Sequence, residues 1–136
     1  MAPLLLDTGP WVALLNRNDT HHNWAVQQFK AFPGPFYTCE AVIAETCFLL
    51  ARGNFDPALA LHFVERGVVQ LPFALGEQIV AVRQLFQRYV NVPASLADAA
   101  LIRMSELMDD CRLITLDRDF CIYRRHGRRM IPVIMP

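Results

Sequence analysis

The chain has 136 residues, and 13 Lys+Arg balance 13 Asp+Glu to a net charge of zero. That length suits one domain with a core of its own, and an apolar share of 54% excludes disorder while suggesting that one face lies in a subunit interface. Neutrality argues at first against a nucleic-acid partner, which draws on a basic footprint. Residues 3–6 form a short apolar strand that stops at Asp7. Thr8-Gly9-Pro10 then carries the signals of a helix start near Pro10. Asp19 to Phe32 reads as a helix closed by Pro33-Gly34, Phe36-Tyr37-Thr38 as a strand, and Glu40 to Arg52 as a helix ending at Gly53. Asp56-Pro57 opens a helix that ends at Gly67, and Val68 to Leu71 is a β-branched apolar strand. Gly76 to Tyr89 is amphipathic. Ser95 to Met108 is a helix that opens on Ser95-x-x-Asp98, a capping-box pattern. Arg112 to Thr115 reads as a strand, Phe120 to His126 as a short helix, and Met130 to Met135 as a last strand.

Short apolar strands separated by helices describe an α/β chain whose parallel sheet is covered on both faces. In such sheets ligands bind beyond the carboxyl ends of the strands. The start of the chain has no basic segment and no apolar run of signal length. Nothing reaches the ~18 consecutive apolar residues of a membrane span. Cys39, Cys47, Cys111 and Cys121 lack C-x-x-C spacing, so reduced thiols in a cytoplasmic protein are expected rather than disulfides or zinc.

Four carboxylates stand out. Asp7 ends the first strand and Asp117 follows the strand at 112–115, so a parallel sheet brings both to one edge. Asp98 lies in the first turn of its helix, and Glu45 lies in the apolar run Ala41 to Leu50. Each has a plain structural reading. Asp7 and Asp98 suit helix caps, Asp117 suits a turn, and Glu45 suits a pair with an Arg from another helix. Together they point further, because converging carboxylates repel one another and a divalent cation holds them ionised. Hard oxygen ligands select Mg²⁺ or Mn²⁺. Such an ion serves phosphodiester hydrolysis by polarising the phosphate and lowering the pKa of a water.

These acids, in this order, resemble those of the PIN-domain ribonucleases, and in particular the VapC-type toxins of toxin–antitoxin pairs. The likeness covers nearly the whole chain. It rests on Leu5-Leu6-Asp7-Thr8-Gly9-Pro10, Val42-Ile43-Ala44-Glu45, Leu96-Ala97-Asp98-Ala99-Ala100-Leu101 and Ile114-Thr115-Leu116-Asp117-Arg118-Asp119-Phe120. The resemblance implies a single domain over residues 1–136, with a three-layer α/β/α fold and a parallel sheet of about five strands. It implies a Mg²⁺- or Mn²⁺-dependent endoribonuclease in which Asp7, Glu45, Asp98 and Asp117 are catalytic and bind the metal. Thr8, Thr115 and Asp119 then support the site, although Asp119 also follows the strand and competes with Asp117 for the ion. The resemblance further implies a tRNA or rRNA substrate, a homodimer and a cognate antitoxin. Asn91-Val92-Pro93-Ala94-Ser95, before Asp98, is poorer in acids than is usual in the family.

Other readings fit less well. A receiver domain needs an acidic neighbour to Asp7 and a Lys after the last strand, and the only Lys is Lys30. A haloacid-dehalogenase phosphatase needs an acid where Gly9 stands. A PIN nuclease of RNA maturation and a non-catalytic PIN module that binds RNA or protein remain as alternatives. His21, His22 and His62 read as helix-surface residues, and Trp11, Trp24, Met104 and Met108 as packing. The zero charge hides an uneven distribution. Residues 118–129 hold Arg118, Arg124, Arg125, Arg128 and Arg129 against Asp119 alone, while residues 1–117 carry a matching acidic surplus. The basic strip is expected to hold RNA phosphates through bidentate Arg contacts, or else to be a solvated face or an antitoxin contact.

Overall fold

The computed structural model describes residues 2–136. Its centre is a five-stranded parallel sheet built from β1 (Leu4–Leu6), β2 (Phe36–Tyr37), β3 (Val69–Gln70), β4 (Arg112–Ile114) and β7 (Val133–Ile134), in the order β3-β2-β1-β4-β7. The chain steps outward from β1 to β2 and β3, then returns to lay β4 and β7 on the other side of β1. The order therefore reverses between β1 and β4, and the crevice beyond their carboxyl ends is the switch point of the sheet. Leu6 pairs with Ile114 at the end of the ladder, and the Asp7 N–H donates to the Ile114 carbonyl at 3.1 Å.

Helices α1 (Thr8–Leu15), α2 (His22–Ala31), α3 (Glu40–Arg52), α4 (Ala58–Glu65), α5 (Ile79–Arg88) and α6 (Leu96–Leu107) flank the sheet. This is the three-layer arrangement expected from the strand–helix alternation. The core joins the sheet residues Leu5, Leu6, Phe36, Leu113 and Ile114 to Trp11, Leu50, Leu101, Ile102 and Met104. Each fully buried large side chain contributes about 1.5–3 kcal/mol. Helix α6 buries Ala97, Ala99, Ala100, Leu101, Ile102, Met104 and Ser105, so it is covered on most sides, as an internal helix must be.

Two boundaries move for local reasons. Helix α1 begins at Thr8 rather than near Pro10 because Asp7 caps it, accepting the Thr8 N–H. Pro10 then falls within the first turn, where a missing N–H costs no helical bond. Helix α2 begins at His22 rather than Asp19, because the Asp19 side chain accepts the His21 N–H and holds a turn before the helix. The His22 Nδ1 lies 2.7 Å from the Ala13 carbonyl, so this ring ties α2 to α1.

The C-terminal segment departs most from expectation. A 3-10 turn, Arg118–Cys121, replaces the front of the helix expected at 120–126. The antiparallel hairpin β5 (Arg124–Arg125) and β6 (Arg129–Met130) takes up the rest and separates Met130 from the last sheet strand, β7. The reversal is made by His126 and Gly127, with φ of 52° and 77°. This is the left-handed pair that a tight hairpin turn requires, formed without the Asn-Gly or Asp-Gly signal that announces it in a sequence.

Candidate active site

Asp7 sits at the switch point with 6% exposure. Its Oδ1 accepts the Thr8 N–H at 2.8 Å, and its Oδ2 accepts the Thr115 hydroxyl at 2.7 Å. Thr115, fully buried just beyond β4, accepts the Asp117 N–H at 3.0 Å on the same oxygen. One hydroxyl therefore fixes Asp7 and the start of the Asp117 loop relative to each other. Thr8 does the same on the other side, where its hydroxyl donates to Glu45 Oε2 at 3.0 Å and links α1 to α3. Glu45 is thus held by a neutral donor rather than by an arginine.

Asp98 completes a capping box at the start of α6. Its Oδ2 accepts the Ser95 N–H at 3.0 Å, and its own N–H donates to the Ser95 hydroxyl at 3.1 Å. Asp117 Oδ1 accepts the Asp119 N–H at 2.9 Å and opens the 3-10 turn. The capping readings of these acids are therefore correct, yet each cap uses one oxygen. Oδ1 of Asp98 and Oδ2 of Asp117 have no protein donor among the described residues.

Electrostatics ties the group together. Burial, with the charges of Asp98 and Asp117 adding to it, pushes the Asp7 carboxyl up from 3.8 to about 6 against the lowering effect of its two hydrogen bonds. Burial likewise raises Asp98, with Asp117 and Glu45 adding to it. The ion pairs among the described residues join His21 to Asp19, His62 to Glu65 and Arg103 to Glu106, so none neutralises these four acids. No three His, Cys, Asp or Glu side chains among the described residues close on a single point as a ready-made cage. An all-oxygen, negatively charged crevice of this open kind fits a cation such as Mg²⁺, which keeps several waters and takes only one or two carboxylates directly.

The basic strip does not form one surface. Strand residues alternate in direction, and Arg124 and Arg125 accordingly part. Arg124 is half-buried, and its guanidinium donates to the carbonyls of Cys121, Ile122 and Tyr123 at 2.8, 3.0 and 3.2 Å. Arg125 is buried at 9% exposure and donates to the carbonyls of Ser105 and Met108 at the end of α6. Arg125 meets carbonyls at the end of α6, and Arg124 meets those of its own turn through Nη1 alone, groups that a helix or turn end leaves unpaired. Arg118, Arg128 and Arg129 are exposed.

Two contributors escaped the sequence reading. Gly9 brings α1 so close to the 115–117 loop that a Cβ there would stand 3.1 Å from the Leu116 Cβ. Tyr123 is fully buried beside the acids. Gly9 lies within the Leu5–Pro10 block, but its packing role appears only from the approach of Leu116, and Tyr123 belongs to no recognisable motif.

The PIN domain family model matches residues 4–125. No curated protein matches the chain. Solved structures with this fold include Mycobacterium tuberculosis VapC20, described as a Sarcin-Ricin loop cleaving toxin. It is 23% identical, with a TM-score of 0.73 over 85% of this chain and 91% of that one.

Proposed function

The chain belongs to the PIN-domain family, and from that premise we propose that it is a metal-dependent endoribonuclease, the toxin of a toxin–antitoxin pair. The observation that carries the reading is the uncompensated acidity of the switch point. A carboxylate with 6% exposure faces other acids, and among the described residues no cationic side chain is paired with any of them. Leaving such a group without a counter-ion is costly, and a site that accepts that cost is a site for a cation.

Asp7, Glu45, Asp98 and Asp117 would hold Mg²⁺ or Mn²⁺, which would polarise an RNA phosphate and make a water acidic enough to attack it. Thr115 orients Asp7, and Thr8 orients Glu45. The capping box sets the direction of Asp98, and the Asx turn sets that of Asp117, which we take as the ligand with Asp119 supporting it. Within the basic strip, the exposed Arg118, Arg128 and Arg129 would meet the RNA backbone most readily, with the half-buried Arg124 beside them and the buried Arg125 least accessible. The fold likeness to VapC20 supports the toxin reading, with a structured tRNA or rRNA as substrate, a cognate antitoxin as partner and a homodimer as the working form. The four thiols are free, and no helix among the described residues is long and apolar enough to cross a membrane. We place the protein in the cytoplasm, as one domain over residues 1–136.

The test is RNA cleavage after EDTA treatment and metal return. Cleavage restored by Mg²⁺ or Mn²⁺, and lost in Asp7→Asn, is the expected result. RNA that binds but stays intact with either ion would turn the reading to a non-catalytic module.

A further inference from the structure

Helix α6 brings Asp98 to the crevice, but the segment ahead of it lacks backbone pairing among the described residues. Residues 90–94 join α5 to Ser95 without helix or strand, and no main-chain hydrogen bond to another part of the backbone secures them among the described residues. Val92 and Ala94 pack partly buried against the core, and the side-chain hydrogen bonds that reach the segment among the described residues come from Tyr123. The Tyr123 hydroxyl lies 3.4 Å from the Val92 carbonyl and 3.3 Å from the Pro93 carbonyl, and donates between the two.

The other end of Tyr123 is anchored in the Asp117 loop. Its N–H donates to the Asp119 carbonyl at 2.9 Å, closing the turn that Asp117 opens. Its ring is fully buried and packed edge-on against Phe120 at 5.3 Å and Tyr89 at 4.9 Å. The Tyr89 hydroxyl in turn accepts the Arg124 N–H at 2.8 Å. A rigid phenol thus spans from the loop bearing Asp117 to the turn two residues before the cap of Asp98.

We propose that Tyr123 is a positioning residue that sets the separation of Asp98 from Asp117, and hence the affinity of the crevice for its divalent ion. The proposal rests on reading those acids as the metal centre. Burial, with the charges of Asp98, Asp119 and Asp117 around it, pushes the phenol above its ordinary range. An unsupported turn leaves the two carboxylates free to spread under their own repulsion. Groups one step behind metal ligands commonly change metal affinity by about 10–100-fold when removed.

The test is Mn²⁺ binding to the full chain, read from the loss of the free-ion EPR signal, in wild type, Tyr123→Phe and Tyr89→Phe. Each variant loses one hydroxyl from the same aromatic cluster, so both are expected to melt a few degrees lower. Only Tyr123→Phe is expected to weaken Mn²⁺ binding, by about tenfold. Its kcat at saturating Mn²⁺ should stay close to wild type, because the deficit lies in holding the ion. Pro93→Gly loosens the same turn from an exposed position and should weaken Mn²⁺ in the same direction even if Tyr123→Phe does not fold. Wild-type Mn²⁺ affinity in Pro93→Gly and Tyr123→Phe, or an equal loss in Tyr89→Phe, overturns the proposal. RNA cleavage is scored separately. Wild type that binds Mn²⁺ without cutting RNA defeats the nuclease reading and leaves the comparison of variants valid, whereas wild type that binds no Mn²⁺ defeats both.

Discussion

The acidic edge of the sheet and the arginine-rich hairpin solve the same local problem with opposite results. Both place charged side chains at the ends of helices and turns, where backbone groups lack partners. Asp98 and Asp117 each cap with one oxygen and keep the second free of protein donors among the described residues. Arg124 and Arg125 turn their guanidinium groups inward onto carbonyls. A carboxylate can therefore serve the fold and a ligand at once, whereas the buried Arg125 is committed to the fold and Arg124 engages it through Nη1. Unlike charges in one sequence are not equally available to a substrate.

That contrast can be broken at either end. The largest effect is expected at the acids. Asp7→Asn or Asp98→Asn should lower metal-dependent RNA cleavage by about a thousandfold or more, since the counter-charge for the ion is removed along with a ligand. Single-turnover cleavage at saturating Mn²⁺ measures this, and near-normal cleavage in Asp7→Asn would show that the switch point is not the centre.

At the hairpin the expected effect is on stability instead. Arg125→Ala removes a buried guanidinium that serves two carbonyls of α6, at a cost of about 2–4 kcal/mol. Urea unfolding should show that loss, while cleavage per folded molecule persists.

The acids carry a smaller and opposite stability signature. Asp7 titrates at about 6 in the fold against 3.8 as its ordinary value. The folded chain therefore holds more protons than the unfolded chain between those values, and its stability falls as pH rises from about 4 to about 6. The upper bound for a shift of that size is about 3 kcal/mol. In EDTA, Asp7→Asn should melt higher than wild type at pH 8 and lose that advantage at pH 4. A variant less stable than wild type at pH 8 would show that the hydrogen bonds of Asp7 outweigh its burial.

The smallest effect is expected at the exposed arginines. Arg128→Ala combined with Arg129→Ala should leave the melting temperature within a degree or two. It should also flatten the salt dependence of RNA affinity by up to about 0.7 per lost contact with single-stranded RNA. An unchanged salt slope would remove the hairpin from the RNA interface.

Several elements were legible because their determinants are local. Helix α3 runs over Glu40–Arg52 as its apolar pattern and following glycine indicate, and the Ser95–Asp98 box caps α6 as its spacing indicates. The alternation of apolar strands with helices was enough to expect a parallel sheet covered on both faces, and the family resemblance supplied the count of about five strands. The hairpin was not legible, since its turn is His126-Gly127 rather than the Asn-Gly or Asp-Gly pair that announces such a turn. Nor was the division of the arginines, because which face a β residue takes depends on what packs against each side.

The sequence by itself determined which carboxylates stand at strand ends and helix starts, because caps, periodicity and glycine positions act over a few residues. Only the tertiary structure decided that Thr8 would join Glu45 across 37 positions and that Thr115 would join Asp7 across 108. It also decided that Tyr123 would brace the approach to Asp98, and that two of five clustered arginines would be buried or half-buried. Those outcomes depend on the strand order that brings β4 beside β1, where backbone pairing places distant residues within hydrogen-bonding reach and burial then sets their charge.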